Sequence, residues 1–417
     1  MNIWIFNHYA TPPDTSGSTR HYDLGREIVR RMHKVTIFSS SFDHRSRREE
    51  RLTGKQGYRM ENIDGVEFAW LRTSPYYGGN DWRRVVNMLS YAFRVVPIGL
   101  KLKEKPDVVL ASSPHPFAGL AGWILAKLKG AVFIFEVRDL WPQTFMEIGG
   151  YSSKSLVVKL VRVLEKFLYQ RASRIVVLLP RASDYITGLG ITCDKIVYIP
   201  NGVSPELFSE TSAELTQEMN ATISDLKSQG KMLVVYAGAH GIADALDTIL
   251  SAARLLQAKG VNKVHFLMVG AGPEKQRIIE AAQSGHLNNI SFFSPIPKTQ
   301  IPHFLDSADV VVLTKRHTEL YKYGISFLKI FDYMMSAKCV IWAVDSVNNP
   351  VAEAGCGITV PPEDPQAMTE AILHLCAMSK EERQEIGMRG HEYVLKYHST
   401  PVLAGQLLKV MQDAISK

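Results

Sequence analysis

The sequence predicts an α/β protein made of two doubly wound parallel sheets, and three observations predict it. At 417 residues the chain exceeds what one hydrophobic core organises, so two domains are expected. Short β-branched runs without polar alternation recur along it, as strands buried on both faces require. Turns and amphipathic helical segments separate these runs, and the pattern restarts after residue 200.

The elements follow in order. Asn2–Phe6 (NIWIF) is the first strand, leading into a loop of turn formers, Thr11–Thr19 (TPPDTSGST). The helix beyond it places Leu24, Ile28, Val29 and Met32 at apolar spacing, and KVTIF is the next strand. Val108–Ser112, Ala131–Val137 and Arg174–Leu179 are further strands, the last two separated by a long amphipathic helix over Ser155–Ser173. The turn cluster Ile199-Pro200-Asn201-Gly202 marks a domain boundary. Leu233–Gly241 (LVVYAGAHG) is again strand and glycine turn, and Ala245–Gly260 is a helix stopped by its glycine. Strands at His265–Val269, Ala308–Leu313, Val340–Val344 and Gly357–Val360 precede a helical tail. The expected domains are therefore 1–200 and 201–399, with a last helix, about 400–417, returning to the first. Ligand belongs between them, near the carboxyl ends of the strands.

Composition narrows the function. Hydrophobic residues make up 46% and charged residues 21%, which suits a soluble globular enzyme rather than a disordered chain. The four cysteines form no C-x-x-C pair, so neither a zinc site nor a disulfide frame is expected, and a reducing compartment fits. Met1 runs straight into a strand without a leader pattern, and no apolar run reaches the ~18 residues of a membrane span. The net charge of +7 is uneven: residues 1–200 hold 29 Lys and Arg against 18 Asp and Glu, the remainder 19 against 23. A basic first half expects an anionic partner. No basic stripe interleaved with aromatics argues for nucleic acid, so an anionic membrane surface fits better. The segment Trp82–Lys105, which mixes apolar residues with Arg83, Arg84, Arg94, Lys101, Lys103 and Lys105, suits such an interface or packs as a surface helix.

One stretch carries the chemistry. Tyr323–Cys339 (YGISFLKIFDYMMSAKC) reads as a turn entering a helix, with Ser326 as N-cap and Lys329 and Asp332 three residues apart on one face. A helix N-terminus with a lysine suits a diphosphate, and a carboxylate one turn deeper suits a ribose diol. That is the layout of a nucleotide-sugar site, although Asp332 could equally cap or solvate an ordinary helix.

An ordered set of segments extends this reading: HYATPPDTSGSTRHYDLGREIVRR, SSPHPFAGLAG, FEVRDLWPQ, DKIVYIPNGV, VVYAGAHGIADALDTIL, VGAGPEK, KYGISFLKIFDYM and EAGCGITVPPEDP. Together they resemble the retaining glycosyltransferases of family 4, with the GT-B fold of two facing Rossmann-like domains. The similarity is greatest to the L-fucosamine transferases of bacterial O-antigen and capsule assembly. The resemblance implies a sugar nucleotide donor, no metal, no cofactor, and retention at the anomeric carbon. It places Asp332 on the ribose and leaves Gly324 where relatives carry a first carboxylate. Relatives also read Pro-Asn where this chain has Phe327-Leu328.

The remaining candidates follow from position and resemblance. Gly17 would let backbone approach the donor diphosphate, or belongs to a flexible loop. Arg20 meets an acceptor anion or is solvated. His115, ending a strand between prolines, lies beside the donor sugar or is a satisfied loop histidine. Asp139 orients the attacking hydroxyl with Arg138 at the acceptor, or the two form an ion pair that pins a loop. Gly238, His240, Gly324, Ile325 and Ser326 line the donor side. Lys315 and Lys329 offset charge on the departing phosphate. The resulting expectation is a transferase moving an N-acetylhexosamine or its 6-deoxy relative from a UDP-sugar to a polyprenyl-diphosphate-linked saccharide at the inner face of the plasma membrane. A UDP-sugar 2-epimerase of the same fold and a non-catalytic binding protein are the competing readings.

Overall fold

The computed structural model describes residues 1–15, 17–44, 46–77, 82–113, 115–143, 146, 152–209 and 213–416. Ser16 and Pro114, neighbours of two candidate residues, lie outside them.

In the first domain the chain runs β1 (Asn2–Phe6), α1 (Arg20–Arg30), β2 (Lys34–Ser40), β3 (Tyr58–Ile63), β4 (Val66–Leu71) and α2 (Trp82–Lys101). It continues through β5 (Val108–Ser112), α3 (Pro116–Lys129), β6 (Val132–Val137), α4 (Leu156–Arg171), β7 (Arg174–Val177), α5 (Ala182–Gly188) and β8 (Ile196–Tyr198). The eight strands lie in the order β8-β7-β6-β5-β1-β2-β4-β3. The order reverses at the junction of β1 and β5, whose neighbours pair in parallel register, Ile3 with Val108 and Ile5 with Leu110.

The sheet is not wholly parallel, which corrects the expectation for this domain. β3 pairs antiparallel with β4 at the edge, around an Asp64-Gly65 turn with φ of 50° and 85°. The signal was in the sequence: an Asp-Gly dipeptide between apolar runs is a hairpin turn, since both residues tolerate positive φ.

The second domain runs α6 (Gln217–Ser228), β9 (Met232–Ala237), α7 (Asp247–Ala258), β10 (Val264–Val269), α8 (Lys275–Ser284), β11 (Ile290–Phe293), α9 (Ile301–Asp306) and β12 (Val310–Thr314). Then come α10 (Leu328–Met335), β13 (Cys339–Ala343), α11 (Pro350–Ala354), β14 (Gly357–Thr359), α12 (Pro365–Ala377), α13 (Lys380–Tyr397) and α14 (Thr400–Ile415). Its strand order, β11-β10-β9-β12-β13-β14, is all parallel and reverses between β9 and β12. That is the doubly wound arrangement in which ligands sit beyond the strand ends at the reversal.

Helix α14 lies on the first sheet, where Leu403, Leu407 and Met411 share a core with Ile3, Ile28 and Ile37. The chain therefore passes between the domains twice, near 201 and near 398, and the passages are pinned together. Val203 and Ser399 bridge in parallel, and a Cβ on Gly202 would come within 2.0 Å of the His398 carbonyl oxygen.

Candidate functional site

Each sheet has a reversal point, and each gathers ionisable side chains. In the second domain Gly238 follows β9 and Lys315 follows β12. Between them stands Asp244, which sequence reasoning missed. Its Oδ1 lies 2.8 Å from the Nζ of both Lys315 and Lys329, and its Oδ2 accepts the Gly241 N–H. Burial favours a neutral acid, yet the two ammonium groups hold this carboxyl down at about 2. Lys329 also donates to the Tyr236 hydroxyl at 2.7 Å. Burial and the neighbouring Lys315 lower Lys329 to about 8, against the pull of Asp244. Lys315 sits 4.4 Å from the Phe327 ring centroid, a cation over an aromatic face. Two cations on one anion leave this corner with a net positive charge.

The backbone around the cluster is tight. A Cβ at Gly238 would meet Lys329 Nζ at 3.0 Å, so glycine there lets the lysine lie across the turn. At Gly270, φ is 147° and a Cβ would strike the Gly238 carbonyl oxygen at 1.8 Å. His240 is buried above this turn with neither ring nitrogen hydrogen-bonded among the described residues. Burial and then Lys275 lower it to about 4, so the ring is neutral near pH 7.

Asp332 does not cap a helix; it lies one turn inside α10, buried. Its Oδ2 pairs with Lys298, while Oδ1 has no partner among the described residues. Burial raises its pKa against the Lys298 ammonium. Asp23 of α1 reaches the same region from the first domain: burial lifts it to about 6, and it feels both Lys298 and Asp332.

The turn before α10 departs from expectation. Ser326 is not the N-cap. Helix α10 begins at Leu328 after Phe327, and Ser326 Oγ accepts the Asn201 N–H at 2.7 Å across the domain boundary. The Ile325 N–H donates to Asn348 Oδ1 and the Ile325 carbonyl accepts from Asn348 Nδ2, so this N–H is not free to donate to a diphosphate. Gly324 has φ 95°, and a Cβ there would meet Pro180 Cδ at 2.4 Å. A carboxylate side chain has no room at this position. Gly324 thus abuts the first domain at Pro180, Ser326 is tied to the linker at Asn201, and Ile325 is held within its own domain by Asn348.

At the first domain's reversal, His115 caps α3. Its Nδ1 accepts the Ala118 N–H at 3.2 Å, and its Nε2 lies 2.9 Å from Nδ1 of His8, another residue the sequence did not reveal. An accepting Nδ1 puts the His115 proton on Nε2, which donates to His8 and leaves the His8 proton on Nε2. Both rings are buried; burial lowers His115 to about 3 and His8 well below its ordinary value. Tyr91 stacks on His8 at 4.6 Å.

Arg20 corrects an expectation. It is neither solvated nor available to an anion, because its Nε donates to Glu136 Oε1 at 2.9 Å and its other nitrogens bond the carbonyls of Ile199 and Pro200. Glu136 also accepts from His21 at 2.7 Å and Ser112 at 2.7 Å, forming a fully buried network. Arg138 donates to Ser18 Oγ at 3.1 Å rather than to its neighbour Asp139, which is exposed. Gly17 makes its close approach to Thr11, whose Oγ1 a Cβ would meet at 2.2 Å. Among the described residues no three His, Cys, Asp or Glu side chains gather to hold a metal ion.

Comparison with known proteins agrees with this architecture. Residues 16–202 match the model of a glycosyl transferase 4-like domain, and residues 231–378 match that of glycosyl transferases group 1. A relative from Pseudomonas aeruginosa named as glycosyltransferase WbjE is 23% identical over 70% of this chain and 72% of its own. A relative from Escherichia coli K12 named as colanic acid biosynthesis glycosyl transferase WcaI is 23% identical over 62% and 64%. Among solved structures, that of Anabaena HepE in complex with UDP-glucose superposes with a TM-score of 0.66 at 13% identity, over 99% of this chain and 100% of that one. The chain belongs to the family 4 glycosyltransferases and has their GT-B fold of two facing Rossmann-like domains.

Proposed function

We propose that the protein transfers an N-acetylhexosamine, or a 6-deoxy relative of one, from a UDP-sugar to a saccharide on a polyprenyl diphosphate. The reaction serves bacterial surface polysaccharide assembly at the inner face of the plasma membrane and needs no metal. The observation that carries the reading is the pair of lysines converging on Asp244 at the second domain's reversal point. A diphosphate offers those ammonium groups more negative charge than one carboxylate does. Asp332 Oδ1, one turn along α10 and without a partner among the described residues, supplies an acceptor for a ribose hydroxyl. UDP-glucose in the HepE complex and colanic acid in the name of WcaI support the donor class and the setting.

In the transfer, the bond from the anomeric carbon to the diphosphate oxygen breaks and one to the acceptor oxygen forms on the same face. The acceptor proton passes to the departing phosphate oxygen. Lys315 and Lys329 offset the charge that grows there. On the other side, His115 and His8 present a neutral, buried hydrogen-bonded pair toward the first domain's strand ends, fixed by the α3 cap.

Calorimetry with UDP, GDP, ADP and CMP, with and without magnesium, tests this. Selective binding of UDP without magnesium is expected, and Lys329→Ala should weaken it about tenfold to a hundredfold, as loss of a charge-assisted hydrogen bond does. Binding of none of the four overturns the reading.

A further inference from the structure

Helices α2, α3 and α4 form one layer on the first sheet, packed side by side, with Trp123 of α3 meeting Phe167 of α4 edge-on at 4.8 Å. Their inner sides are accounted for: Tyr91, Val95, Leu125 and Leu168 fill the core. Their outer sides are unusual. On α2, Trp82, Val86 and Phe93 recur at i, i+4 and i+11, and are exposed by 69%, 39% and 76%. On α4, Leu156, Leu160 and Val163 recur at i, i+4 and i+7, exposed by 71%, 60% and 69%. Each set is one helical stripe, and each points to solvent. Scattered exposed apolar residues need no explanation, but two such stripes on the helices that flank α3 in one layer do.

The charge around them selects the occupant. Over these three helices the sequence holds ten Lys and Arg and one acid, Glu165. Glu165 is buried, accepting from the Tyr169 and Tyr185 hydroxyls, so it does not cancel any surface charge. Lys159 and Lys166 border the α4 stripe, and Arg83 lies over the Trp82 ring at 5.6 Å. Aromatic and aliphatic stripes on helices whose exposed charges are all cationic match the boundary between acyl chains and anionic headgroups. A second copy of this chain would set like charge against like. No helix among the described residues is long and apolar enough to cross a membrane, so contact by this face would be peripheral.

We propose that the outer face of α2 and α4 together docks on an anionic lipid bilayer, with Trp82, Phe93, Leu156 and Leu160 entering the interface. The inference rests on the reading of a lipid-linked acceptor and names the surface that would bring the enzyme to it. Co-sedimentation with vesicles of phosphatidylglycerol and phosphatidylethanolamine, against neutral phosphatidylcholine vesicles, reads it directly. Binding to the anionic vesicles, weakened by salt, is expected. Both F93E/L160E and K159E/K166E should reduce the bound fraction about tenfold. UDP calorimetry on the same variants separates the two claims: unchanged UDP affinity shows an intact fold and leaves the donor reading untouched. Equal binding to neutral vesicles, or undiminished binding by either variant, overturns the proposal. So does self-association of the wild type through this face, seen by sedimentation velocity, without vesicle binding.

Discussion

The two reversal points of the molecule use charge in opposite ways. In the first domain, Glu136 sits among Arg20, His21 and Ser112 with nothing exposed, and the pair closest to the strand ends, His8 and His115, is kept neutral by burial. In the second, Lys315 and Lys329 share one carboxylate and stay partly exposed, at 11% and 15% of the side chain. A matched, buried ion network leaves no charge to attract a ligand, whereas an under-neutralised one presents a positive potential to anions. The same topology therefore supports a sealed centre on one side and a cationic one on the other.

The largest way to break that contrast is Glu136→Gln, which strands Arg20 and His21 in the core. It should cost about 3–5 kcal/mol in denaturant unfolding, as breaking a buried pair does. In the native protein Glu136 titrates well below its ordinary 4.5, because Arg20 and His21 outweigh its burial. Its stabilisation is thus present above pH 4.5 and is lost as pH falls below it. The variant should lack that acid-dependent loss, and an unchanged acid limb would count against the network. Lys329→Ala, on the other side, should leave unfolding nearly unaltered while UDP affinity falls about tenfold to a hundredfold.

A smaller effect sits at the seam. Gly324→Glu places a carboxylate in the turn before α10, but at positive φ and against Pro180. We expect about 1–3 kcal/mol of destabilisation and no gain in UDP affinity. A rise in affinity would show that the domains part readily there.

The smallest effect concerns pH. Lys329 loses its proton near 8, and only the ammonium form attracts phosphate. UDP affinity should therefore fall as pH rises through 8, approaching about tenfold per unit beyond it. Asp244 raises the Lys329 pKa, so in Asp244→Asn the fall should move to lower pH. An identical profile in calorimetry would detach Asp244 from Lys329.

How much of this was legible depended on range along the chain. The buried strands announced themselves as runs such as Val310–Leu313, since a strand covered on both faces has no polar positions to hide it. The Asp64-Gly65 hairpin was equally local and was overlooked. Lys315, Lys329 and Asp332 were visible because they follow a strand or share a short helix. Asp244 was not, because its partners stand 71 and 85 residues away and only the fold introduces them. His8 and His115, 107 residues apart, are the same case. Ser326 misled for another reason: its hydroxyl suits a cap, but the passage between the domains offers the Asn201 N–H and takes it. Local grammar cannot see a competitor that arrives from elsewhere.

The Val203–Ser399 bridge has a mechanical consequence. A protein whose halves are joined by one strand of chain can twist, slide and tilt at the joint. Here two strands cross side by side and are stitched to each other, so the joint behaves as a door on two pins. A joint pinned in this way favours one rotation over sliding or twisting, and such a rotation would move the far rim of the cleft most and the stitched edge least. Cutting the chain before residue 399 would remove one pin, and with it the restriction that makes the swing reproducible.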